Sequence, residues 1–175
     1  MIKVIVGPMF SGKSTTLINC IKERPLSDYV SFKPLRDTRQ MGIHSRDSGD
    51  LPAINLMSIT DIYKHISKVK RKLILIDEIH MFEDDAYKTL FDLHKNYHDI
   101  ICCGLNMSIA GVPIQTTANV LAIATDIVKL TAKCSVCEAP AEYTFKTQDT
   151  HEIIGDSDLY EARCLKHAEA GWKNL

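Results

Sequence analysis

One uninterrupted motif near the start of the chain constrains its fold more than any other feature. Residues 7–14 read Gly-Pro-Met-Phe-Ser-Gly-Lys-Ser and match the pattern G-x-x-x-x-G-K-[ST]. The preceding residues, Ile2–Val6, are rich in β-branched side chains and predict a buried strand. Lys13 to about Arg24 has the spacing of a helix, and Pro25 ends it. A strand, a glycine-rich turn and a helix in this order predict a phosphate-binding loop, or P-loop.

The P-loop pattern assigns a role to each part of the motif. Its glycines let backbone N–H groups surround phosphate oxygens at the positive end of the helix dipole. We expect Lys13 to neutralise the outer phosphates of a nucleoside triphosphate and Ser14 to ligate Mg²⁺. The alternative is a glycine-rich turn that holds no ligand. The candidate nucleotide-binding residues are Gly7, Pro8, Met9, Phe10, Ser11, Gly12, Lys13 and Ser14.

A second acidic anchor follows the apolar strand Leu73–Ile76. Asp77 is placed to reach Mg²⁺, directly or through water, and Glu78 to accept a proton from the group that attacks the γ-phosphate. The alternative for Glu78 is a solvated carboxylate at a strand end. Asp77-Glu78-Ile79-His80 also matches the D-E-x-H of helicase motors, but such motors need two sheet domains and a much longer chain than this one.

The remaining periodicity predicts the fold class. Each strand is apolar throughout and strands alternate with helices, which indicates a parallel sheet covered on both faces. We therefore predict an α/β fold, a P-loop (RecA-like) parallel sheet flanked by helices. The further predicted elements are strands at 29–32, 100–104 and 127–131, helices from the N-cap Ser58 to about Lys70 and from Asp84 to Tyr97, and a long polar loop from Lys33 to Pro52.

The C-terminal segment carries two ligand pairs, Cys134-x-x-Cys137 and Cys164-x-x-His167. Four such ligands in two tight pairs suit tetrahedral Zn²⁺, and a full protein shell makes that zinc structural. His167 is the ligand that another donor could replace. We place a boundary near Ala132, with a P-loop α/β domain over 1–131 and a zinc-binding domain over 132–175. The loop between the pairs would then be held near the phosphate site.

Composition excludes several partners. The 175-residue chain has a formal net charge of −1, so no overall basic field favours nucleic acid or a membrane surface. It has neither an apolar run of membrane-spanning length nor the layout of a signal peptide. We expect a cytoplasmic protein that binds neither membranes nor nucleic acid.

Together these motifs resemble the zinc-containing thymidine kinase family, which is distinct from the larger deoxynucleoside-kinase fold. The resemblance runs through nearly the whole chain. It is carried by Gly-Pro-Met-Phe-Ser-Gly-Lys-Ser at 7–14, Lys-Pro-Leu-Arg-Asp-Thr-Arg at 33–39, Ile-Asp-Glu at 76–78, Lys-Leu-Thr-Ala-Lys-Cys-x-x-Cys at 129–137, Ile-Ile-Gly-x-x-x-x-Tyr at 153–160 and Cys-x-x-His at 164–167.

The resemblance implies ATP-dependent phosphorylation of the 5′-hydroxyl of thymidine or deoxyuridine, and it assigns residues to the reaction. Glu78 resembles the general base, Arg39 the group that stabilises transition-state charge, and Asp37 its neighbour beside the sugar and the transferring phosphate. The loop between the zinc ligands resembles a lasso that closes over the base. Its contacts would be His151, Glu152, Ile153, Ile154 and Gly155, with Tyr160 packing nearby. Such kinases are commonly homotetramers with feedback by dTTP.

The chain departs from the family pattern around the base. His80 and Met81 replace a glutamine and an aromatic residue, Asn106 replaces an acidic residue, and Ile109 occupies the position of a base-stacking phenylalanine. Loss of ring stacking should change base affinity by about 1 kcal/mol. The preference among thymidine, deoxyuridine and a modified pyrimidine nucleoside therefore stays open.

Two other functions compete with a nucleoside kinase. One is a small nucleotide-hydrolysing switch or motor whose zinc module binds nucleic acid, and the other is a non-catalytic zinc protein whose P-loop only holds nucleotide. The segments Asp37-Thr38-Arg39 and Ile153-Ile154-Gly155…Tyr160 favour the kinase, because a motor requires neither.

Overall fold

The computed structural model describes residues 1–39, 41–45, 47–66, 72–148 and 158–172. Short 3₁₀ helices cover Leu26–Asp28, Ile59–Lys64 and Ile79–Met81. None of the helices in this part of the chain has the length and apolar character needed to cross a bilayer. The helices are α1 (Lys13–Asn19), α2 (Ala86–Lys95), α3 (Gln115–Ala122) and α4 (Leu165–Trp172); the strands are β1 (Ile2–Val6), β2 (Tyr29–Pro34), β3 (Ile43–Ser45), β4 (Gly49–Leu51), β5 (Ile54–Leu56), β6 (Leu73–Ile76), β7 (Asp99–Gly104), β8 (Asp126–Lys129), β9 (Ala132–Lys133), β10 (Pro140–Ala141), β11 (Tyr143–Lys146) and β12 (Tyr160–Arg163).

Six parallel strands form the central sheet, in the order β5-β2-β6-β7-β1-β8. The register pairs Val6 with Gly104 and Ile76 with Cys102, so the carboxyl ends of β1, β6 and β7 share one edge. The P-loop after β1 and the carboxylates after β6 are therefore neighbours. The predicted α/β class with a parallel sheet flanked by helices is confirmed.

Both faces of the sheet are buried because alternate side chains of each strand enter different cores. On one face Ile76 and Ile100 pack with apolar side chains that include Leu90 of α2 and Val120 of α3. On the other face residues such as Leu75 pack against α1 and the β3–β4 hairpin. This double burial explains why the strands read as continuous apolar runs.

The helix that follows the P-loop is shorter than predicted. It ends at Asn19 instead of near Arg24, and the chain continues in turns closed by bonds from Ile21 N–H to Ile18 O (3.0 Å) and from Arg24 N–H to Ile21 O (2.8 Å). Residues 22–24 are exposed, so a longer helix would gain no stability there from packing an apolar face.

The predicted loop from Lys33 to Pro52 holds more structure than expected. Its first two residues complete β2, and Ile43–Ser45 and Gly49–Leu51 form an antiparallel hairpin. Ile43 is fully buried against the α1 side of the sheet, and Ser45 Oγ lies 2.8 Å from Thr15 Oγ1 on α1. The hairpin is thereby fixed beside the P-loop.

The Ser58 N-cap is confirmed, but the element that follows is not the predicted α-helix. Ser58 and Asp61 form a reciprocal capping box, and the described turn is a 3₁₀ helix, Ile59–Lys64. The predicted end near Lys70 lies outside the described residues. Helix α2 is two residues shorter than predicted at each end. The sequence did not predict the following elements: β5, α3, the two-stranded pairs β9–β10 and β11–β12, and α4.

Candidate active site

The P-loop keeps its lysine buried inside the turn. Phe10 and Gly12 take left-handed backbone angles, φ 63° and 80°, which curl the chain before α1. Lys13 Nζ donates to Pro8 O at 2.6 Å, and Ser11 Oγ donates to the same carbonyl at 2.8 Å. Burial lowers the pKa of Lys13, although nearby carboxylates oppose the shift. The ammonium therefore stands where phosphate oxygens could displace the carbonyl.

Gly7 opens the loop at a position with no room for a side chain. A Cβ there would lie 2.6 Å from Leu130 O and 2.7 Å from Ser11 Oγ. The first glycine of the motif is thus required by the close approach of Leu130, the residue that follows β8, independently of any ligand.

Asp77 leaves β6 directly opposite the P-loop serine. Ser14 Oγ lies 3.4 Å from Oδ1 and 3.3 Å from Oδ2, and Asp77 Oδ1 also accepts from Glu78 N–H at 3.0 Å and from the Cys103 thiol at 2.8 Å. Burial, followed by the charge of Glu78, raises the pKa of Asp77 to about 6. Neighbouring ligands of octahedral Mg²⁺ stand about 2.9 Å apart, so these hard oxygens could hold the ion after a small closure.

Glu78 and Asp37 share the guanidinium of Arg39. Arg39 Nε donates to Asp37 Oδ1 at 2.7 Å, and its Nη2 forms an ion pair with Glu78 Oε1. Burial would raise the pKa of Glu78, but the nearby ring of His80 and the charges of Arg39 and Lys13 outweigh it and lower that pKa. The carboxylate is therefore ionised and held by a cation.

The second oxygen of Glu78 faces the ring of His80. Oε2 lies 3.3 Å from His80 Nδ1, which also accepts the Leu105 N–H at 3.2 Å. Among the described residues, Glu78 Oε2 is a buried oxygen without a hydrogen bond. Gly104 makes room for the ring, because a Cβ there would lie 3.1 Å from His80 Nδ1.

These groups open into one cavity of about 710 Å³. From the P-loop and the strand ends it is lined by the predicted residues Met9, Phe10, Gly12, Lys13, Ser14, Asp37, Arg39, Asp77, Glu78, Ile109 and Tyr160. His80 and Met81 also line it. Gly7, Pro8 and Ser11 belong to the loop without lining the cavity, and the predicted substrate contacts at 151–155 lie outside the described residues.

Several lining residues were missed by sequence reasoning. His44, Ser45 and Asp47 come from the hairpin, and Thr144 and Lys146 come from β11. Strands of three or four residues with one or two buried side chains give too weak an alternation to be predicted.

One hydrogen bond links the P-loop directly to β11. Met9 N–H donates to Thr144 Oγ1 at 3.0 Å, and Thr144 is buried. The C-terminal segment thus contacts the P-loop itself.

The four predicted zinc ligands lie together. Their ligand atoms are all within 4.8 Å of one another, with Cys137 Sγ 3.8 Å from Cys164 Sγ, and His167 Nδ1 3.5 Å from Cys134 Sγ and 3.2 Å from Cys164 Sγ. Two sulfurs bound tetrahedrally to one zinc at 2.3 Å stand about 3.8 Å apart. The donor set and its spacing therefore fit a closed tetrahedral site.

Comparison with known proteins identifies the family. The model of the family described as thymidine kinase matches residues 1–168. The chain belongs to the thymidine kinase family. Membership confirms the predicted class of ATP-dependent kinase, and with it nucleoside and ATP as the substrates of the family. The switch or motor and the non-catalytic zinc protein are thereby set aside.

Curated relatives extend the similarity to most of the chain. A thymidine kinase of Mycoplasmoides gallisepticum is 34% identical and covers 95% of this chain and 80% of its own length. A thymidine kinase of Mycoplasma genitalium is 35% identical over 94% of this chain and 81% of its own length. A thymidine kinase of Metamycoplasma arthritidis is 37% identical over 99% of this chain and 92% of its own length.

Proposed function

We propose that this chain transfers the γ-phosphate of ATP to the 5′-hydroxyl of thymidine or deoxyuridine and gives the nucleoside monophosphate for DNA synthesis by salvage. The observation that carries the proposal is the placement of Glu78 on a cavity that begins at the P-loop and ends at residues of β11 and β12. A triphosphate and a hydroxyl acceptor can therefore share one cavity.

The P-loop residues bind and orient the triphosphate. Lys13 exchanges Pro8 O for phosphate oxygens, and backbone N–H groups between Ser11 and Ser14 surround the β-phosphate. Ser14 and Asp77 would hold Mg²⁺, which supplies positive charge to the outer phosphates. The raised pKa of Asp77 favours this role, because a buried carboxylate with little compensation gains most from a cation.

Glu78 takes the proton of the attacking hydroxyl, and Arg39 controls when it can do so. While Arg39 pairs with Glu78, the carboxylate is a weak base because the guanidinium lowers its pKa. When a triphosphate is bound, the γ-phosphate competes for the guanidinium, and Arg39 can stabilise its developing charge. Release of the ion pair then raises the basicity of Glu78 while the triphosphate is bound.

The base pocket is aliphatic where the family pattern is aromatic. Met81 and Ile109 line the cavity together with Leu105 and Tyr160. Apolar packing accommodates a pyrimidine with or without a 5-methyl group, which supports both thymidine and deoxyuridine as acceptors. Backbone groups of residues 151–155 would contact the base edge.

The C-terminal cluster completes the proposal. Cys134, Cys137, Cys164 and His167 would hold a structural zinc, because four protein ligands leave no open coordination position. We also propose the domain division at residues 131 and 132. A homotetramer and feedback by dTTP are supported by the family resemblance, and the cytoplasmic location stays a prediction from the sequence.

A nucleoside panel tests the function. ADP release is measured with ATP and Mg²⁺ alone, with each common nucleoside and with single-stranded DNA. We expect release to require thymidine or deoxyuridine and to equal the monophosphate formed. ADP production that ignores nucleosides and rises with DNA would contradict the proposal.

A further inference from the structure

Lys33 is a buried cation to which the mechanism above gives no role. It lies near the end of β2, with 1% of its surface exposed, and its side chain borders the cavity. An ammonium removed from water is strongly destabilising unless it is paired and hydrogen-bonded. A position that needs only to fill space beside the sheet would favour an apolar residue, so the charge itself calls for an explanation.

Partners of the Lys33 ammonium lie on both sides of the Arg39 segment. Nζ lies 2.9 Å from Asp37 Oδ2 and 3.2 Å from Gly42 O. Asp37 is itself nearly buried, with 6% of its side chain exposed. Lys33 thus ties the turn that carries Asp37 to the start of the hairpin.

Asp37 divides its two oxygens between two cations. Oδ2 faces Lys33, and Oδ1 accepts from Arg39 Nε at 2.7 Å. Burial would raise the pKa of Asp37, but Arg39 and Lys33 together lower it, so the group is a carboxylate. With Oδ2 occupied, Arg39 is held by Asp37 at one oxygen only, and its Nη2 remains available to Glu78.

We propose that Lys33 is a positioning residue. By occupying Asp37 Oδ2, its ammonium keeps Arg39 from forming a two-bond pair with Asp37. The guanidinium of Arg39 is thereby directed towards Glu78 and the transferring phosphate. Without the ammonium, Asp37 Oδ2 is free to accept a second N–H of Arg39, and two-bond guanidinium–carboxylate pairs are the favoured geometry. The inference rests on the proposed role of Arg39 in phosphoryl transfer.

Lys33→Met tests it, because methionine keeps most of the length of the side chain and its fit to a buried site while removing the charge. We expect kcat to fall about 10–100-fold, within the range for losing one aligned donor, with KM for ATP changed less than about 3-fold. Lys3→Met is a matched control, since Lys3 Nζ also lies 2.9 Å from an aspartate, Asp126, on the same sheet but away from the cavity. The control should keep wild-type kcat.

A double-mutant cycle separates positioning from other roles. In the Arg39→Gln background, Lys33→Met should cost less than about 3-fold in kcat, because its effect is routed through Arg39. The full penalty in that background would overturn the proposal, as would an unchanged kcat in Lys33→Met alone. If the methionine variant does not fold, Lys33→Gln is measured instead: because its amide can still donate to Asp37 Oδ2, kcat should stay within about 3-fold of wild type, and a loss of about 10-fold or more would overturn the proposal.

A spectroscopic readout keeps this inference separate from the proposed function. The ¹⁵N signals of the Arg39 guanidinium, assigned by their loss in Arg39→Gln, should shift in Lys33→Met and stay unchanged in Lys3→Met. Unshifted signals would overturn the positioning role even in a chain that phosphorylates thymidine. If the signals shift in Lys33→Met but the wild-type chain does not phosphorylate nucleosides, the proposed function is removed and the positioning role stands.

Discussion

Asp77→Asn should make the ligand-free protein more stable while removing its metal-dependent turnover. The substitution keeps the local hydrogen bonds, because the amide oxygen can accept from Glu78 N–H and the Cys103 thiol, as Asp77 Oδ1 does. The amide nitrogen can donate to Ser14 Oγ, which stands 3.3 Å from Oδ2. What the substitution removes is a buried negative charge beside Glu78.

The size of the gain follows from the pKa of Asp77. Folding raises that pKa from 3.8 to about 6, which means that the folded state resists ionisation. At about 1.4 kcal/mol per pKa unit, the ionised carboxylate weakens the fold by up to about 3 kcal/mol at neutral pH. The penalty is absent below the unfolded pKa, grows between the two values and is constant above the folded one, so about half of it should be gone near pH 5.

Urea unfolding of both proteins without nucleotide or added Mg²⁺ measures this difference. The variant should be more stable by about 1–3 kcal/mol at pH 7.5, and its advantage should shrink steadily towards pH 5. Asp85→Asn is the control, because the Asp85 side chain is 64% exposed, and it should show neither effect. An Asp77→Asn protein that is less stable at pH 7.5, or whose advantage does not change with pH, would refute the reasoning.

Two further substitutions test the site. Glu78→Gln should lower kcat about 10²–10⁴-fold, because it removes the proton acceptor, and calorimetry should show that ATP binding is retained. The exposed control Glu142→Gln should keep full turnover. Unchanged turnover in Glu78→Gln would exclude Glu78 as the base. Cys164→Ser should bring zinc, measured by mass spectrometry, from about one per chain to well below that, while Cys20→Ser, outside the cluster, retains it. Full zinc content in Cys164→Ser would contradict the assigned ligands.

Local chemistry explains which parts of the site could be predicted from the sequence. The P-loop residues are contiguous, Asp77 and Glu78 follow a strand directly, and the zinc ligands come in two close pairs. In each case neighbouring residues along the chain carry the pattern. The parallel register then brings the P-loop and the carboxylates to one edge, as the strand order requires.

The parts that could not be predicted depend on distant contacts. The hairpin is stabilised because Ile43 and Leu51 pack against apolar side chains beside α1. The sequence of two three-residue strands does not predict that contact. The end of α1 at Asn19 likewise depends on tertiary packing, because residues 22–24 are exposed and do not contact the core. The pairing of Lys33 with Asp37 needs the turn geometry that places them 2.9 Å apart.

The hydrogen bond between Met9 and Thr144 also bears on how the protein is made. A ribosome exposes the P-loop early, but β11 and Tyr160, which line the same cavity, emerge only after most of the chain. A nascent or truncated chain therefore carries a P-loop without the wall that encloses it. Fragments that end before β11 therefore lack the residues that form this side of the cavity.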